Sequence, residues 1–368
     1  MNELAIEPAS LTGYLASRGW RNEGTWRGAQ VWQGSNTRLL IPPQREYPDD
    51  DELLAEAVAK LAALEDRTAE EVLLDIAEPL VDTLDIRTQP DTPSGTIPLL
   101  SGVRAIDSIC ELLDTAARTV EEGPRLIFTG RRSGAVQDFL GGVRLGASKP
   151  GSYIFTARIP LASRAVQASL FEEEETDPFG RQVLVALDKA LRSAKTACSQ
   201  VIRGTASFDV IEDYVEQGVS ADLCEAISGL AGHGVDRPFS VSVSWARGLN
   251  APARETIGFS ATMAGVLSQT AKQLRDLSRI GQATVTGVIE ALHDDGVEAP
   301  RIKIRGELQT SSSGSLARAI WVVVNRAQYE RAGVLHYQRA TVRVSGRLTT
   351  NGKRLEMRPD RADMEVIG

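Results

Sequence analysis

A chain of 368 residues, 42% hydrophobic and 24% charged, has material for two or three domains and is too apolar for wholesale disorder. Its formal net charge of −8 argues against indiscriminate attraction to nucleic acid. No run of about 18 apolar residues occurs, and Met1-Asn2-Glu3-Leu4 lacks the basic and apolar segments of a secretory signal, so a cytoplasmic protein with no membrane partner is expected.

From the N-terminus, a short helix-like piece precedes two strands, 29–33 and 37–41, joined by a turn at Gly34-Ser35-Asn36. The pattern then changes to a helical period, with Leu53, Leu54, Ala57, Val58, Leu61 and Leu64 on one stripe. Thr68 followed by Glu71 forms a capping box for a second helix. Residues 1–87 are therefore expected to form an acidic ββαα module. Three prolines and a glycine in 88–98 mark a linker.

Residues 99–278 mix element types and are expected to form an α+β domain. A helix over 99–120 is predicted to turn Val103, Ile106, Ile109, Leu112 and Leu113 inward. A strand at 125–129, a helix at 134–145 and a strand at 153–159 follow. After a loop at 162–178 come helices near 180–202, 207–217 and 220–231, strands near 239–246 and 255–259, and a helix from Ser260 to about 277. Cys110, Cys198 and Cys224 are far apart and lie among helix-patterned apolar residues, which predicts buried free thiols rather than a disulfide or metal framework.

Residues 279–368 alternate most cleanly. Strands are predicted at 283–292, 301–308, 319–324, 341–348 and 354–358, closed by 364–367, with one helix at 327–338 and an Asn351-Gly352 turn. Val342-Arg343-Val344-Ser345-Gly346-Arg347-Leu348, followed by a hairpin and a last strand, resembles the OB-fold domains of nucleic-acid-processing subunits, in element order and alternation. The resemblance covers about a quarter of the chain and implies a five-stranded barrel with a nucleic-acid-binding strand face.

Charge is unevenly placed. Residues 45–122 hold 20 acidic and 6 basic side chains, residues 124–165 hold 7 basic against Asp138 alone, and residues 280–368 hold 13 basic and 10 acidic. Strand parity turns Lys303, Arg305, Arg343 and Arg347 away from the apolar side, and Trp321 has the parity opposite to Ile320 and Val322. Gly130-Arg131-Arg132-Ser133-Gly134 and the turn at Lys149 add cations in the middle region. The single-strand recipe of cations for phosphates and a ring for base stacking is thus met by Arg131, Arg132, Lys149, Lys303, Arg305, Arg343, Arg347 and Lys353 with Trp321. Arg131 and Arg132 could equally pair with the acidic first half of the chain. The Glu172–Glu175 run is read as solvated charge or as an internal competitor for the basic surface.

His233, His293 and His336 do not form any metal or nucleophile signature, there is no P-loop or dinucleotide fingerprint, and no cofactor is expected. The sequence therefore favours a non-enzymatic binding subunit for single-stranded DNA or RNA, in a setting such as DNA repair, mobile elements or phage defence. A scaffold whose acidic helices dock a basic protein is the alternative, and an enzyme built on carboxylates and arginines is a third reading.

Overall fold

The computed structural model describes residues 6–34, 37–65, 67–77, 80–146, 153–161, 177–246, 255–279, 281–310, 315–350, 352–360 and 364–367. Among the described residues the fold is mixed α+β with three sheets. Two compact units result: one from residues 1–83, 158–178 and 244–254, the other from 84–157, 179–243 and 255–368.

In the first unit, helix α1 (Pro8–Ser17) leads into an antiparallel sheet of β1 (Arg21–Trp26), β2 (Ala29–Gln33) and β3 (Arg38–Ile41). Helices α2 (Asp50–Glu65) and α3 (Ala69–Ala77) follow. The capping box forms in both directions: Glu71 N donates to Thr68 Oγ1 and Thr68 N donates to the Glu71 carboxylate. Leu15, Leu39, Ile41, Leu54, Leu61 and Val72 make the core, whereas Leu64 of the predicted stripe is exposed.

A five-stranded sheet, most of it in the second unit, has the order β5-β6-β4-β7-β8. Its strands are β4 (Val81–Thr88), β5 (Arg144–Leu145), β6 (Ile154–Pro160), β7 (Phe239–Ser244) and β8 (Thr256–Phe259). The sequence reading missed β4, although Leu84 and Ile86 alternate with polar residues and are fully buried. Helices α4 (Leu99–Glu122), α5 (Gly134–Gly142), α6 (Phe179–Ile202), α7 (Ala221–Gly229) and α8 (Ala261–Arg279) also belong to this unit. Residues 208–217, expected as a helix, form a ten-residue 3₁₀ helix, long for a geometry in which side chains at i and i+3 eclipse.

Several expectations fail in this region, and the helix predicted over 134–145 stops at Gly142, with Arg144–Leu145 forming β5. Residues 125–129 are not a strand; the backbone there is satisfied singly, with Leu126 N donating to Gly352 O, Ala221 N to Leu126 O and Phe128 N to the Asp222 carboxylate. Val103 and Ile106 of α4 do not turn inward but are 50% and 38% exposed, and Cys110 on the same side is exposed rather than buried. The apolar arc of α4 is wider than the surface that its neighbours cover.

The C-terminal region follows the predicted element order: β9 (Gln282–His293), β10 (Arg301–Thr310), β11 (Ser315–Val323), α9 (Arg326–Tyr337), β12 (Thr341–Thr350), β13 (Leu355–Pro359) and β14 (Glu365–Ile367). The sheet has six strands rather than the five expected, in the order β13-β11-β10-β9-β12-β14, and β12 also pairs with β13. That extra pairing gives a ring-like arrangement, with β11 and β13 running parallel and the other pairs antiparallel. Ile302, Ile304, Leu308, Val322, Val342 and Met357 are buried inside it, together with Ala332 and Leu335 of α9. Gly346 permits the close approach of β12 and β13, since a Cβ there would lie 2.8 Å from the Pro359 Cα.

Candidate nucleic-acid interface

The outward side chains of β10 are largely engaged by the chain itself. The 3₁₀ helix presents Asp209 and Glu212 in one eclipsed row and Asp213 and Glu216 in the next. Each carboxylate meets a different cation of the ring. Asp209 lies 3.4 Å from Arg305, Glu212 is ion-paired with Arg318, Asp213 lies 3.7 Å from Lys303, and Glu216 lies 2.8 Å from Lys353. Arg305 also donates to Ser207 Oγ at 2.9 Å and to Glu290 at 2.9 Å.

Burial gives this contact its character. Arg318 and Glu212 are only 5% and 12% exposed, and burial pushes the Glu212 carboxyl up against the pull of Arg318. Burial would also raise Asp209, but the Ser207 hydrogen bond and the guanidinium groups of Arg305 and Arg318 outweigh it and hold the carboxyl below its ordinary value. Ile211 and Val215 of the same helix are buried, Val215 within the apolar cluster of the ring. Uncovering this face would expose apolar surface and break four ion pairs, one of them nearly dry.

Trp321 is half-buried beside this cover, opposite Lys303 on β10 and Glu356 on β13. Lys303 Nζ stands 5.7 Å and the Arg354 guanidinium 5.8 Å from the ring centroid. A base stacking on Trp321 would have to displace these cations. Nearby Arg301, 4% exposed, pairs with Glu298 and with Glu356, itself 4% exposed.

The other outward surface, across β9, β12 and β13, is open. Arg343, Ser345 and Arg347 share one parity and are all exposed. Arg358 of β13 stands directly opposite Arg347 and is exposed too. Among the described residues neither Arg347 nor Arg358 has an ion pair, and Arg343 reaches Glu365 only at 3.9 Å. The β9 residues opposite them are polar: Gln282 faces Arg347, Thr284 faces Ser345 and Thr286 faces Arg343. Parity identified Arg343 and Arg347 as outward, and the register adds Arg358 to the group. Arg318 and the four matching carboxylates were not anticipated; their 3-1-3 spacing was the signal.

Arg132 donates to Asp114 of α4 at 2.9 Å, the acidic pairing that the sequence left open, while Arg131 is exposed in the loop before α5. Lys149 and Glu172–Glu175 lie outside the described residues. A separate cavity of about 390 Å³ in the first unit is lined by Trp26, Val31, Leu40 and Leu53, with Arg38 and Lys60 at its polar side. Among the described residues no three His, Cys, Asp or Glu side chains converge as metal ligands, and no helix is long and apolar enough to cross a membrane.

Comparison with known proteins finds no matching family model, no similar curated protein and no similar solved structure.

Proposed function

We propose that this protein binds single-stranded nucleic acid, without catalysis of its own, through the β9–β12–β13 surface of an OB-like C-terminal barrel. The observation that carries the reading is the juxtaposition of Arg347 and Arg358. Like charges directly opposite on neighbouring strands repel, and an anion held between them relieves that cost. Guanidinium groups suit phosphate because each can donate two parallel hydrogen bonds. Arg343, four residues before Arg347 and roughly 14 Å along the strand, extends the surface from a single anion site to a track for a polyanion. Ser345, Thr284 and Thr286 supply neutral hydroxyls between the cations, while the Gln282 amide donates to the Asp360 carboxylate at the edge of the surface.

The OB-like reading is supported by the element order, the position of α9 between β11 and β12, and the ring-like pairing. Lys303, Arg305, Lys353 and Trp321 are withdrawn from the proposed contact, because their charges and ring are met by the 3₁₀ helix and by neighbouring cations. Arg131 and Arg132, on the segment before α5, are not assigned to it either.

The test is fluorescence anisotropy with single-stranded DNA, single-stranded RNA and duplex oligonucleotides across a salt series. Wild-type protein should bind a single strand with affinity falling steeply with salt. Arg347→Gln/Arg358→Gln should weaken binding at least tenfold and reduce the salt slope by about 1–2, while Lys303→Gln should change it little. Absence of binding, or binding indifferent to salt and to the double substitution, refutes the proposal.

A further inference from the structure

The exposed side of α4 carries a second surface. Leu99, Val103, Ile106 and Cys110 recur at intervals of four, three and four residues, the rhythm of a helix-pairing seam. Leu99, Val103 and Ile106 are 80%, 50% and 38% exposed, and Leu100 beside them is 65% exposed. The same helix already buries Ala105, Ile109, Leu112 and Ala116 against its own unit. Single apolar side chains on a surface are ordinary, but a contiguous row over three helical turns marks an interaction site.

Charge indicates what covers it. α4 bears five carboxylates against two arginines. Arg118 is taken by Glu122 and the Thr129 carbonyl, and Asp114 by Arg132. Asp107 and Glu111 border the seam with Arg104 as the nearby cation of the helix. From α7, Glu225 adds a carboxylate held by Arg275 of α8. Burial, and then the charges of Glu225 and Asp107, push the Glu111 carboxyl up against the pull of Arg104 and Arg275.

We propose that this face of α4 docks a basic amphipathic helix from a partner protein, with apolar residues entering the Leu99–Val103–Ile106 row and Lys or Arg beside Asp107 and Glu111. A second copy of α4 would bring the same carboxylates against these, so charge favours a basic partner over self-association. The row spans three turns of one helix, short of the roughly 800 Å² per partner of a standard stable interface, which suits a helix-recognition site. This surface is distinct from the arginines of β12 and β13 and does not depend on nucleic-acid binding.

The full-length protein is tested with two synthetic helical peptides that share one leucine seam, one otherwise rich in Lys and the other in Glu. Calorimetry measures affinity, and the alkylation rate of Cys110 by iodoacetamide reports coverage of the seam. The basic peptide should bind at least tenfold more tightly than the acidic one and slow alkylation of Cys110. Val103→Ser and Ile106→Ser, at exposed positions, should leave the circular-dichroism melting curve unchanged and abolish both effects, whereas Arg347→Gln/Arg358→Gln should preserve them. Equal binding of the two peptides, or binding that leaves Cys110 unprotected or survives both serine variants, overturns the proposal. A dimer in light scattering that becomes monomeric on Val103→Ser assigns the seam to a second copy and overturns it too.

Discussion

Glu212 on the 3₁₀ helix and Arg318 on β11 form an ion pair from which water is almost excluded. The two side chains come from segments 106 residues apart in sequence. Their pairing fastens the 3₁₀ helix to the outward face of the ring, and with it the Asp209, Asp213 and Glu216 contacts.

Removing one partner should be far more damaging than removing both. Arg318→Met leaves the Glu212 carboxylate buried without its counter-charge, a change that typically costs about 3–5 kcal/mol. Glu212→Leu/Arg318→Met replaces two buried charges with apolar volume and should recover most of that loss. Urea unfolding of the single and double variants measures the difference, and equal destabilisation by both would contradict a dry, coupled pair.

Gly346→Ala should destabilise the ring by roughly 1–3 kcal/mol or more, because the added Cβ would force β12 and β13 apart near Pro359. Gly265→Ala in α8 is the contrasting case. Its Cβ would meet nothing within 4 Å, so it should be neutral or stabilise by about 0.5–1 kcal/mol. Thermal unfolding of the two variants in parallel reads both signs.

Tyr14 should make the first unit sensitive to alkali. Burial, aided by the neighbouring Glu65 carboxylate and opposed by Arg18, raises its phenol from 10.0 to about 12. The unfolded chain therefore releases this proton at lower pH than the folded one. The stabilisation is complete below pH 10 and is lost as pH rises from 10 towards 12. The stability difference between wild type and Tyr14→Phe should be constant below pH 10 and shrink above it, and absorbance at 295 nm should lose one late-titrating phenol in the variant.

One thiol should react in the native protein at pH 8 and three after denaturation. Cys110 is exposed, while burial pushes Cys198 up to about 12 and Cys224 higher still. Mass spectrometry after brief alkylation counts them. Rapid modification of Cys198 or Cys224 in native protein would place them at the surface and contradict the packing of α6 and α7.

Much of this architecture was legible in the sequence. Alternation gave the strands of the C-terminal ring and their buried parity, so Ile302, Ile304, Val342, Val344 and Met357 face inward as expected. The Thr68–Glu71 box and the Ser260 cap are local hydrogen-bonding motifs within four residues, and both form. The reading failed where local pattern underdetermines the outcome. The extended segment 125–129 looks like a strand, but its backbone partners are Gly352 and Ala221, which no local rule supplies. The outer apolar positions of α4 share a helical period with the inner ones, and periodicity alone does not say how wide an arc the neighbours cover.

The sequence by itself determined which side of each strand is apolar and which is charged, because backbone geometry repeats every two residues in a strand and about every 3.6 in a helix. Only the tertiary structure decided which charges remain available. Ser207 and Arg305 meet across 98 residues of chain, and the carboxylates that follow Ser207 cover one basic face while Arg347 and Arg358 are left on another. A side chain's parity is set by its own backbone, but its counter-charge is set by whichever distant segment the core packs against it.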